Sequence, residues 1–285
     1  MEFNVIELRK LIVDCLNEDI GTGDLTTNSI VPADAVSTGY IKAKGNGTLA
    51  GMQVVDEVFR CLDPALQFQA RAGDGELVER GRVLAEVSGN ARAILTGERL
   101  ALNFLQRLSG IATKTAHLVK LVAGTRSRII DTRKTTPGLR MLEKYAVRVG
   151  GGHNHRFGLY DAVLIKDNHI KIAGGITNAV KAARRASPHT AKIEVEVESL
   201  AQLREALEVK SDIIMLDNMT VEMMREAVAI VAGRALVEAS GGVTEENIQA
   251  VASAGVDLIS VGALTHSVKS LDISLDLVEI KLDKR

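Results

Sequence analysis

The feature that most constrains the fold is an alternation of strand-like and helical segments through the second half of the chain. Short apolar runs predict strands at residues 128–131, 161–165, 192–197, 212–216, 235–239 and 257–261. Helical patterns separate these runs, for example at residues 200–207 and 221–231. Repeated β-then-α units of this length form parallel sheets with right-handed crossovers. The alternation alone is compatible with a closed barrel and with an open doubly wound sheet.

The positions of the glycines favour the barrel. No Gly-x-Gly-x-x-Gly sequence follows the first of these strands, which weakens the dinucleotide-binding alternative. Ser240-Gly241-Gly242 and Gly262 instead follow the last two strands, where barrel enzymes commonly bind phosphate. Because six strands are clear and a complete barrel has eight, the sequence predicts an α/β fold with an incomplete TIM-like α/β barrel.

The first third of the chain has a different pattern. Apolar residues recur at helical spacing from Val5 to Leu16 and predict an amphipathic helix. Residues 37–87 predict short strands punctuated by glycine and one helix at 52–62, which together indicate a small α+β unit. Two further helices are predicted at 91–108 and 113–122. Residues 271–277 alternate apolar and polar side chains, which predicts a half-buried strand.

These patterns give an expected domain organisation. Residues 1–110 form the N-terminal domain, and the C-terminal segment 270–285 is expected to pack back on it. Residues 111–269 form the barrel domain.

Composition restricts the class of protein. The 285 residues are 46% hydrophobic, so the chain can bury a core without disulfides, and Cys15 and Cys61 are interpreted as packing residues. A net charge of −1 gives no overall attraction for nucleic acid. No apolar run approaches the ~20 residues that span a membrane, and Glu2 and Glu7 make the N-terminus unlike a signal peptide. We therefore expect a cytoplasmic protein.

Cationic side chains cluster in three segments at predicted strand ends or glycine-rich turns. The candidate ligands for an anion in these segments are Thr132, Arg133, Lys134, Arg140, His155, Arg156 and Lys166. Three consecutive glycines precede His155, and such a run permits a backbone path close to a ligand. A solvated loop or a flexible hairpin would also explain these segments. Lys166 could bind an anion or, with a depressed pKa, form a Schiff base.

Acidic side chains mark the ends of two neighbouring predicted strands. Glu194, Glu196 and Glu198 alternate along one strand, and Asp217 follows the next one. A buried carboxylate is costly unless cations, a metal or water compensate it. Glu196 and Asp217 at one barrel rim would suit Mg²⁺ or the hydroxyls of a ribose, although a structural ion pair is an alternative.

A phosphate site is predicted beside these acids. The backbone N–H groups of the glycine loops at 240–242 and 262, followed by a helix containing His266, can receive a phosphate. An excess of cations around two carboxylates in a nearly neutral chain indicates a strongly anionic substrate.

Ten motifs along nearly the whole chain carry a family resemblance. They include Asp131-Thr-Arg-Lys-Thr-Thr-Pro-Gly138 and Glu238-Ala-Ser-Gly-Gly242, and their positions are residues 18–27, 97–103, 108–113, 131–138, 151–156, 166–169, 194–198, 216–218, 238–242 and 261–266. With these motifs the chain resembles the quinolinate phosphoribosyltransferase family. The resemblance implies a smaller N-terminal α+β sandwich domain beside the incomplete barrel, and an intertwined homodimer in which Arg99 reaches the partner's active site.

The resemblance also implies the substrates and the roles of the candidate residues. Quinolinate would be held by Arg99, Arg133, Arg156 and Lys166, with Thr132, Lys134, Arg140 and His155 around them. Phosphoribosyl pyrophosphate (PRPP) would bind with Mg²⁺ at Glu196 and Asp217. Its 5-phosphate would lie on Ser240, Gly241, Gly242, Gly262 and His266. The residues expected to act in catalysis are Lys134, Lys166, Glu196 and Asp217.

Four alternatives remain open at this point. A paralogue of the same fold linked to molybdenum transport would act on another substrate, and a nicotinate-specific transferase would bind one carboxylate instead of two. A Schiff-base aldolase would use Lys166 as its nucleophile. A non-enzymatic anion-binding barrel would use the same cations without chemistry.

Overall fold

The computed structural model describes residues 3–278, and these fall into two compact units. The first unit comprises the chain up to Lys114, the segment Pro137–Gly150 and the chain from Val268 onward. The second unit comprises Thr115–Thr136 and Gly151–Ser267. The segment Pro137–Gly150 therefore groups with the first unit, although it lies within the range 111–269 expected for the barrel.

The first unit combines helices with two antiparallel sheets. Its helices are α1 (Val5–Ile20), α2 (Leu25–Ile30), α3 (Met52–Leu62), α4 (Ala91–Leu121, whose last turns lie in the second unit) and α5 (Arg140–Val149). Its strands are β1 (Val36–Ala43), β2 (Gly47–Thr48), β3 (Gln67–Ala70), β4 (Leu77–Val78), β5 (Val83–Asn90) and β12 (Ile273–Leu277). The larger sheet has the strand order β12-β1-β5-β3, and β2 pairs with β4.

Helix α1 confirms the amphipathic helix predicted at the start of the chain. The side chain of Asn4 accepts hydrogen bonds from the backbone N–H groups of Ile6 and Glu7 and so caps the helix. Leu8, Ile12 and Leu16 lie on its buried face. The helix predicted at residues 52–62 is likewise confirmed as α3.

The strand predicted near the C-terminus is confirmed as β12. It pairs antiparallel with β1, with Gly39 opposite Leu277 and Ala43 opposite Ile273. Ile273 and Leu275 are buried, as the alternating pattern requires. Residues 279–285, the end of the C-terminal segment 270–285 that was expected to pack back on the N-terminal domain, lie outside the described residues.

The prediction of two helices between residues 91 and 122 is wrong, because α4 is a single helix of 31 residues. Gly110 lies inside it, between the two predicted segments. The absence of a side chain at Gly110 allows another part of the chain to approach the helix closely. A Cβ at this position would collide with the carbonyl oxygen of Lys269 and lie 3.0 Å from Cα of Ser270. The helix can therefore continue through Gly110 while the chain leading to β12 crosses it closely.

The second unit is an α/β structure. Its strands are β6 (Arg128–Ile130), β7 (Val163–Ile165), β8 (Ile193–Val197), β9 (Ile213–Asp217), β10 (Leu236–Ser240) and β11 (Leu258–Ser260). Its further helices are α6 (Asp167–Ala173), α7 (Ile176–Ala186), α8 (Leu200–Glu208), α9 (Val221–Val231), α10 (Ile248–Ser253) and α11 (Ala263–His266). None of the helices within residues 3–278 combines the length and the apolar composition that crossing a lipid bilayer requires.

All six strands predicted in this half of the chain are confirmed. They form one parallel sheet in the order β6-β11-β10-β9-β8-β7, with β6 and β7 at its two ends. The predicted incomplete barrel is also confirmed. Its strands are largely apolar because helices cover one face and the barrel interior covers the other, and Val195 and Ile214 are fully buried.

Candidate active site

Polar side chains from four neighbouring strands meet at the carboxyl end of the parallel sheet. Asp217 and Ser240 are the last residues of β9 and β10 and are partners in the strand register. Glu196 is the penultimate residue of β8, and Lys166 directly follows β7. Because parallel strands end at the same edge, residues far apart in sequence come together here.

A cavity of about 660 Å³ lies at this edge of the second unit. Its volume is within the range of small-molecule binding sites. The residues that line it are Thr132, Arg133, Lys134, His155, Arg156, Leu164, Lys166, Glu196, Met215, Asp217, Asn218, Glu238, Ser240, Gly241, Gly242 and Ser260.

Most of the site residues predicted from the sequence are in this lining. The predicted residues that line the cavity are Thr132, Arg133, Lys134, His155, Arg156, Lys166, Glu196, Asp217, Ser240, Gly241 and Gly242. Gly262 and His266 lie close to one of them, since a Cβ on Gly262 would be 3.1 Å from Cδ of Lys134 and 3.2 Å from Cδ2 of His266. Arg99 and Arg140 belong to the first unit, where Arg99 is exposed on α4 and Arg140 begins α5.

Two guanidinium groups lie near each other in the cavity wall. Burial lowers the pKa of Arg156, and the neighbouring positive charge of Arg133 lowers it further. Nη1 of Arg156 donates to the carbonyl oxygen of Ala162 at 3.1 Å. Within residues 3–278, Nε of Arg156 is buried without a hydrogen-bond acceptor. An anionic ligand would supply that acceptor and relieve the repulsion between the two cations.

Lys166 forms an ion pair with Glu196 across two adjacent strands. The distance from Nζ of Lys166 to Oε2 of Glu196 is 2.6 Å. The backbone N–H of Lys166 donates to Nδ1 of His169 at 2.9 Å, which fixes the turn between β7 and α6. Glu196 is largely buried whereas Lys166 is about half exposed. The ammonium group therefore lies where a ligand could exchange with or share its carboxylate partner.

The fully buried Asp131 organises the loop that carries His155. One carboxylate oxygen of Asp131 accepts from the backbone N–H of His155 at 2.9 Å. The other accepts from Nδ2 of Asn154 at 2.6 Å. These bonds order the glycine-rich segment at residues 150–156, whose ordering costs backbone entropy.

Both ring nitrogens of His155 have polar partners. Nδ1 accepts from the backbone N–H of Arg156 at 2.7 Å. Nε2 lies 3.0 Å from Oε2 of Glu194 and donates its proton there. The backbone bond and the contact with Glu194 together fix the orientation of the ring. Its role in the cavity is that of an oriented polar group.

His155, Glu194 and Glu238 place three potential metal-ligating atoms within 4.8 Å of one another. A metal at Nε2 would require the proton of the ring to sit on Nδ1. Nδ1 already accepts from Arg156, so metal binding conflicts with the observed hydrogen bond. The three side chains are better explained as a buried polar network at the cavity wall, in which His155 pairs with Glu194 and Glu238 lies 3.8 Å from the same ring nitrogen.

Glu238 is the most deeply buried member of this network. Burial raises its pKa well above the ordinary glutamate value, and the neighbouring carboxylate of Glu194 raises it further. In the pH range between the ordinary and the raised pKa, the folded protein holds a proton that the unfolded chain has released. The free energy of unfolding therefore falls as pH rises through this range.

Replacing Glu238 with glutamine tests this linkage. Glutamine has nearly the same shape and remains neutral, so the variant should gain stability relative to the wild type as pH rises from acid to neutral. Urea denaturation of both proteins at several pH values measures the difference. Glu226→Gln, on the exposed side of α9, is the control and should show no such trend. A stability difference that does not change with pH would contradict the raised pKa.

The sequence-based list of site residues omits Asp131, Asn218 and Glu238, although all three lie within motifs that carry the family resemblance. Asn218 and Glu238 line the cavity, and Asp131 holds the loop of His155. The signal from periodicity was weak, because Asp131 and Asn218 are single polar residues directly after apolar strands and Glu238 is a single acid inside one. The motifs at residues 131–138, 216–218 and 238–242 were the signal that could have found them.

Comparison with protein families supports a single assignment for the whole chain. The family model described as "Quinolinate phosphoribosyl transferase, N-terminal domain" matches residues 24–109. The model described as "Quinolinate phosphoribosyl transferase, C-terminal domain" matches residues 111–276.

Individual relatives agree with the family match. The chain is 50% identical over 274 residues to a probable nicotinate-nucleotide pyrophosphorylase (carboxylating) of Bacillus subtilis, covering 96% of this chain and 94% of the relative. It is 44% identical to the chloroplastic nicotinate-nucleotide pyrophosphorylase (carboxylating) of Arabidopsis thaliana, covering 95% and 83% of the two chains. The solved structure of the nicotinate-nucleotide pyrophosphorylase from Francisella tularensis matches with a TM-score of 0.93 and 42% identity, covering 97% and 98%. The cavity, the incomplete barrel and these matches together show that the chain belongs to the quinolinate phosphoribosyltransferase family.

Proposed function

We propose that this chain transfers the phosphoribosyl group of PRPP to quinolinate with decarboxylation. The products are nicotinate mononucleotide, pyrophosphate and CO2, and the reaction serves de novo NAD biosynthesis. The observation that carries the proposal is the convergence of Arg133, Arg156 and Lys166 with Glu196 and Asp217 in one cavity. That arrangement offers cations to a dicarboxylate and carboxylates to a sugar.

Quinolinate is bound through its two carboxylates. Arg133, Arg156 and Lys166 supply charged donors, and Nε of Arg156 is buried with no acceptor among residues 3–278. Hydrogen bonds to charged groups contribute roughly 1.5–3 kcal/mol each. Several such bonds would orient the pyridine nitrogen toward the sugar carbon. His155 adds an oriented polar group to the cavity wall.

The sugar phosphate binds along the adjacent strand ends. Glu196 and Asp217 would hold the ribose hydroxyls, and the Ser240-Gly241-Gly242 loop would receive the 5-phosphate through backbone N–H groups. Gly262 and His266 would complete the phosphate site. Mg²⁺ fits this region because carboxylate oxygens are its preferred protein ligands. Glu196 and Asp217 would hold it together with the pyrophosphate, directly or through water, and it would neutralise charge on the leaving group.

The reaction requires two changes of bonding. The lone pair of the pyridine nitrogen forms a bond to C1 of the ribose while the bond from C1 to the pyrophosphate oxygen breaks. Positive charge develops on the sugar, and Glu196 and Asp217 stabilise it electrostatically. The carboxylate next to the cationic nitrogen then leaves as CO2, the ring accepts the electron pair, and the ring carbon takes a proton. The protein contributes mainly orientation and a fixed electrostatic environment.

An assay of labelled CO2 release tests the proposed function. Purified protein is incubated with quinolinate carrying labelled carbon in the carboxylate next to nitrogen, with PRPP and Mg²⁺. Labelled CO2 and nicotinate mononucleotide should form in equal amounts and only when all components are present. Absence of both products would overturn the proposal. Chelation of Mg²⁺ should abolish turnover.

The active assembly is proposed to be a homodimer in which Arg99 serves the partner's cavity. Arg99 is exposed on α4, close enough to Glu98 for the two charges to interact. An exposed guanidinium is available for an anion bound to a second chain. We further propose that the enzyme is cytoplasmic.

Mixing of two inactive variants tests the shared site. Arg99→Ala and Lys166→Ala homodimers should each be nearly inactive. A heterodimer of the two contains one intact site and one doubly altered site, so it should recover about half of the wild-type activity. Heterodimers purified with two different tags allow this measurement. No recovery in such heterodimers would contradict the sharing of Arg99.

The alternatives are less well supported. A Schiff-base aldolase would need Nζ of Lys166 to leave its 2.6 Å ion pair with Glu196. A nicotinate-specific transferase would leave part of the cationic set without a second carboxylate. Neither the paralogue linked to molybdenum transport nor a non-enzymatic barrel is favoured by the relatives, whose names refer to the carboxylating pyrophosphorylase.

A further inference from the structure

Asn218 has a left-handed backbone conformation at the edge of the cavity. Its φ is 53°, and it directly follows Asp217 at the end of β9. Within residues 3–278, the other non-glycine residues with positive φ are Lys210 and Ala232, which lie at the ends of helices α8 and α9. Left-handed residues are common at helix ends. Asn218 has no helix to terminate, so its conformation needs another explanation.

Two hydrogen bonds connect Asn218 to both neighbouring strand ends. Its backbone N–H donates to the carbonyl oxygen of Ser240 at 2.9 Å. Its side-chain Nδ2 donates to Oδ2 of Asp217 at 2.9 Å. The left-handed conformation turns the side chain back toward Asp217, and asparagine is one of the few residues that adopt it at low cost.

The side chain of Asn218 also lies against the glycine loop. A Cβ built on Gly241 would collide with Oδ1 of Asn218 and lie 2.7 Å from its Cγ. Gly241 itself has a φ of 83°. The amide of Asn218 and the backbone of Gly241 are therefore packed in direct contact, and any side chain on the loop would separate them.

Building on the proposed function, we propose that Asn218 is a positioning residue for PRPP. It holds the carboxylate of Asp217 and the Ser240-Gly241-Gly242 loop in one fixed geometry. In the proposed function the carboxylate of Asp217 binds the ribose and the glycine loop binds the phosphate. A single sugar phosphate must engage both at once, so a fixed separation lowers the entropy cost of binding it. Quinolinate is held by other residues and does not depend on this link.

Two variants separate the side chain from the backbone. Asn218→Gly keeps the left-handed backbone and the N–H bond to Ser240 but removes the side-chain contacts. Asn218→Asp keeps the size and the tolerance for positive φ but replaces the donor with a second carboxylate beside Asp217. Each should raise the KM for PRPP by about tenfold or more. The KM for quinolinate should stay within about twofold of the wild-type value.

Ala232→Gly is the matched control, because it changes a left-handed residue at the end of α9 that does not line the cavity. Its two KM values should equal those of the wild type. Thermal melting of all four proteins checks that the fold is intact. The role of Asn218 would be overturned if folded Asn218 variants of an active enzyme changed both KM values equally or changed neither. That result would leave the proposed function standing. An inactive wild-type enzyme would overturn the proposed function and this inference with it.

Discussion

Replacing Lys166 with alanine should lower kcat/KM for quinolinate by about 10²- to 10³-fold. The change removes a charged donor from the cavity and leaves Glu196 without its partner at 2.6 Å. An unpaired, largely buried carboxylate would then repel the incoming dianion. Truncating one member of such a pair is costly mainly because the other charge remains buried. The effect should therefore exceed the loss of one hydrogen bond.

Lys192→Ala provides the matched control for this variant. Nζ of Lys192 pairs with Asp212 at 3.0 Å, and the lysine precedes β8, at the end of the strand opposite the cavity. Both changes remove one lysine and one ion pair, but only Lys166 lines the cavity. Steady-state kinetics of both variants should show a large loss for Lys166→Ala and nearly unchanged turnover for Lys192→Ala. Similar rates for the two variants would refute the assignment of Lys166.

Replacing Gly110 with alanine should lower the free energy of unfolding by about 3 kcal/mol. The new Cβ would collide with the carbonyl oxygen of Lys269, which is backbone and cannot turn away as a side chain can. The crossing segment also donates the N–H of Leu271 to the carbonyl of Gln106 at 3.0 Å. Displacing it would disturb the approach to β12.

Gly97→Ala in the same helix is the control that separates the collision with backbone atoms from the general effect of adding a methyl group. Both variants gain about 1 kcal/mol of helix propensity. A Cβ on Gly97 would meet side chains and no backbone: Cδ1 of Leu62 at 2.7 Å, the flexible end of a side chain that can rotate, and the ring of Phe59 at 3.2 Å. Chemical denaturation should show Gly110→Ala to be clearly less stable than Gly97→Ala. Equal stability of the two variants would contradict this prediction, because it would mean that the segment at Lys269 moves aside at little cost in free energy.

Local patterns in the chain were enough to predict the secondary structure of the second unit. Each of the six strands is an apolar run whose residues report burial on both faces, and this information is present within each segment. The same reasoning placed Lys166, Glu196 and Asp217 at one rim, because the end of a parallel strand can be located without knowing its partners. The family resemblance then supplied the substrates and the residues that lie far from these strands.

Non-local contacts decided what local patterns could not. Helix α4 continues through Gly110, where the lack of a side chain lets the chain at Lys269 pack closely, and no pattern near Gly110 indicates this contact. The orientation of the His155 ring depends on the backbone of Arg156 and on Glu194 of β8. The protonation of Glu238 depends on burial and on the same Glu194. Sequence periodicity records whether a residue is buried, whereas protonation, tautomer and backbone strain depend on which atoms lie beside it, and only the tertiary structure brings those atoms together.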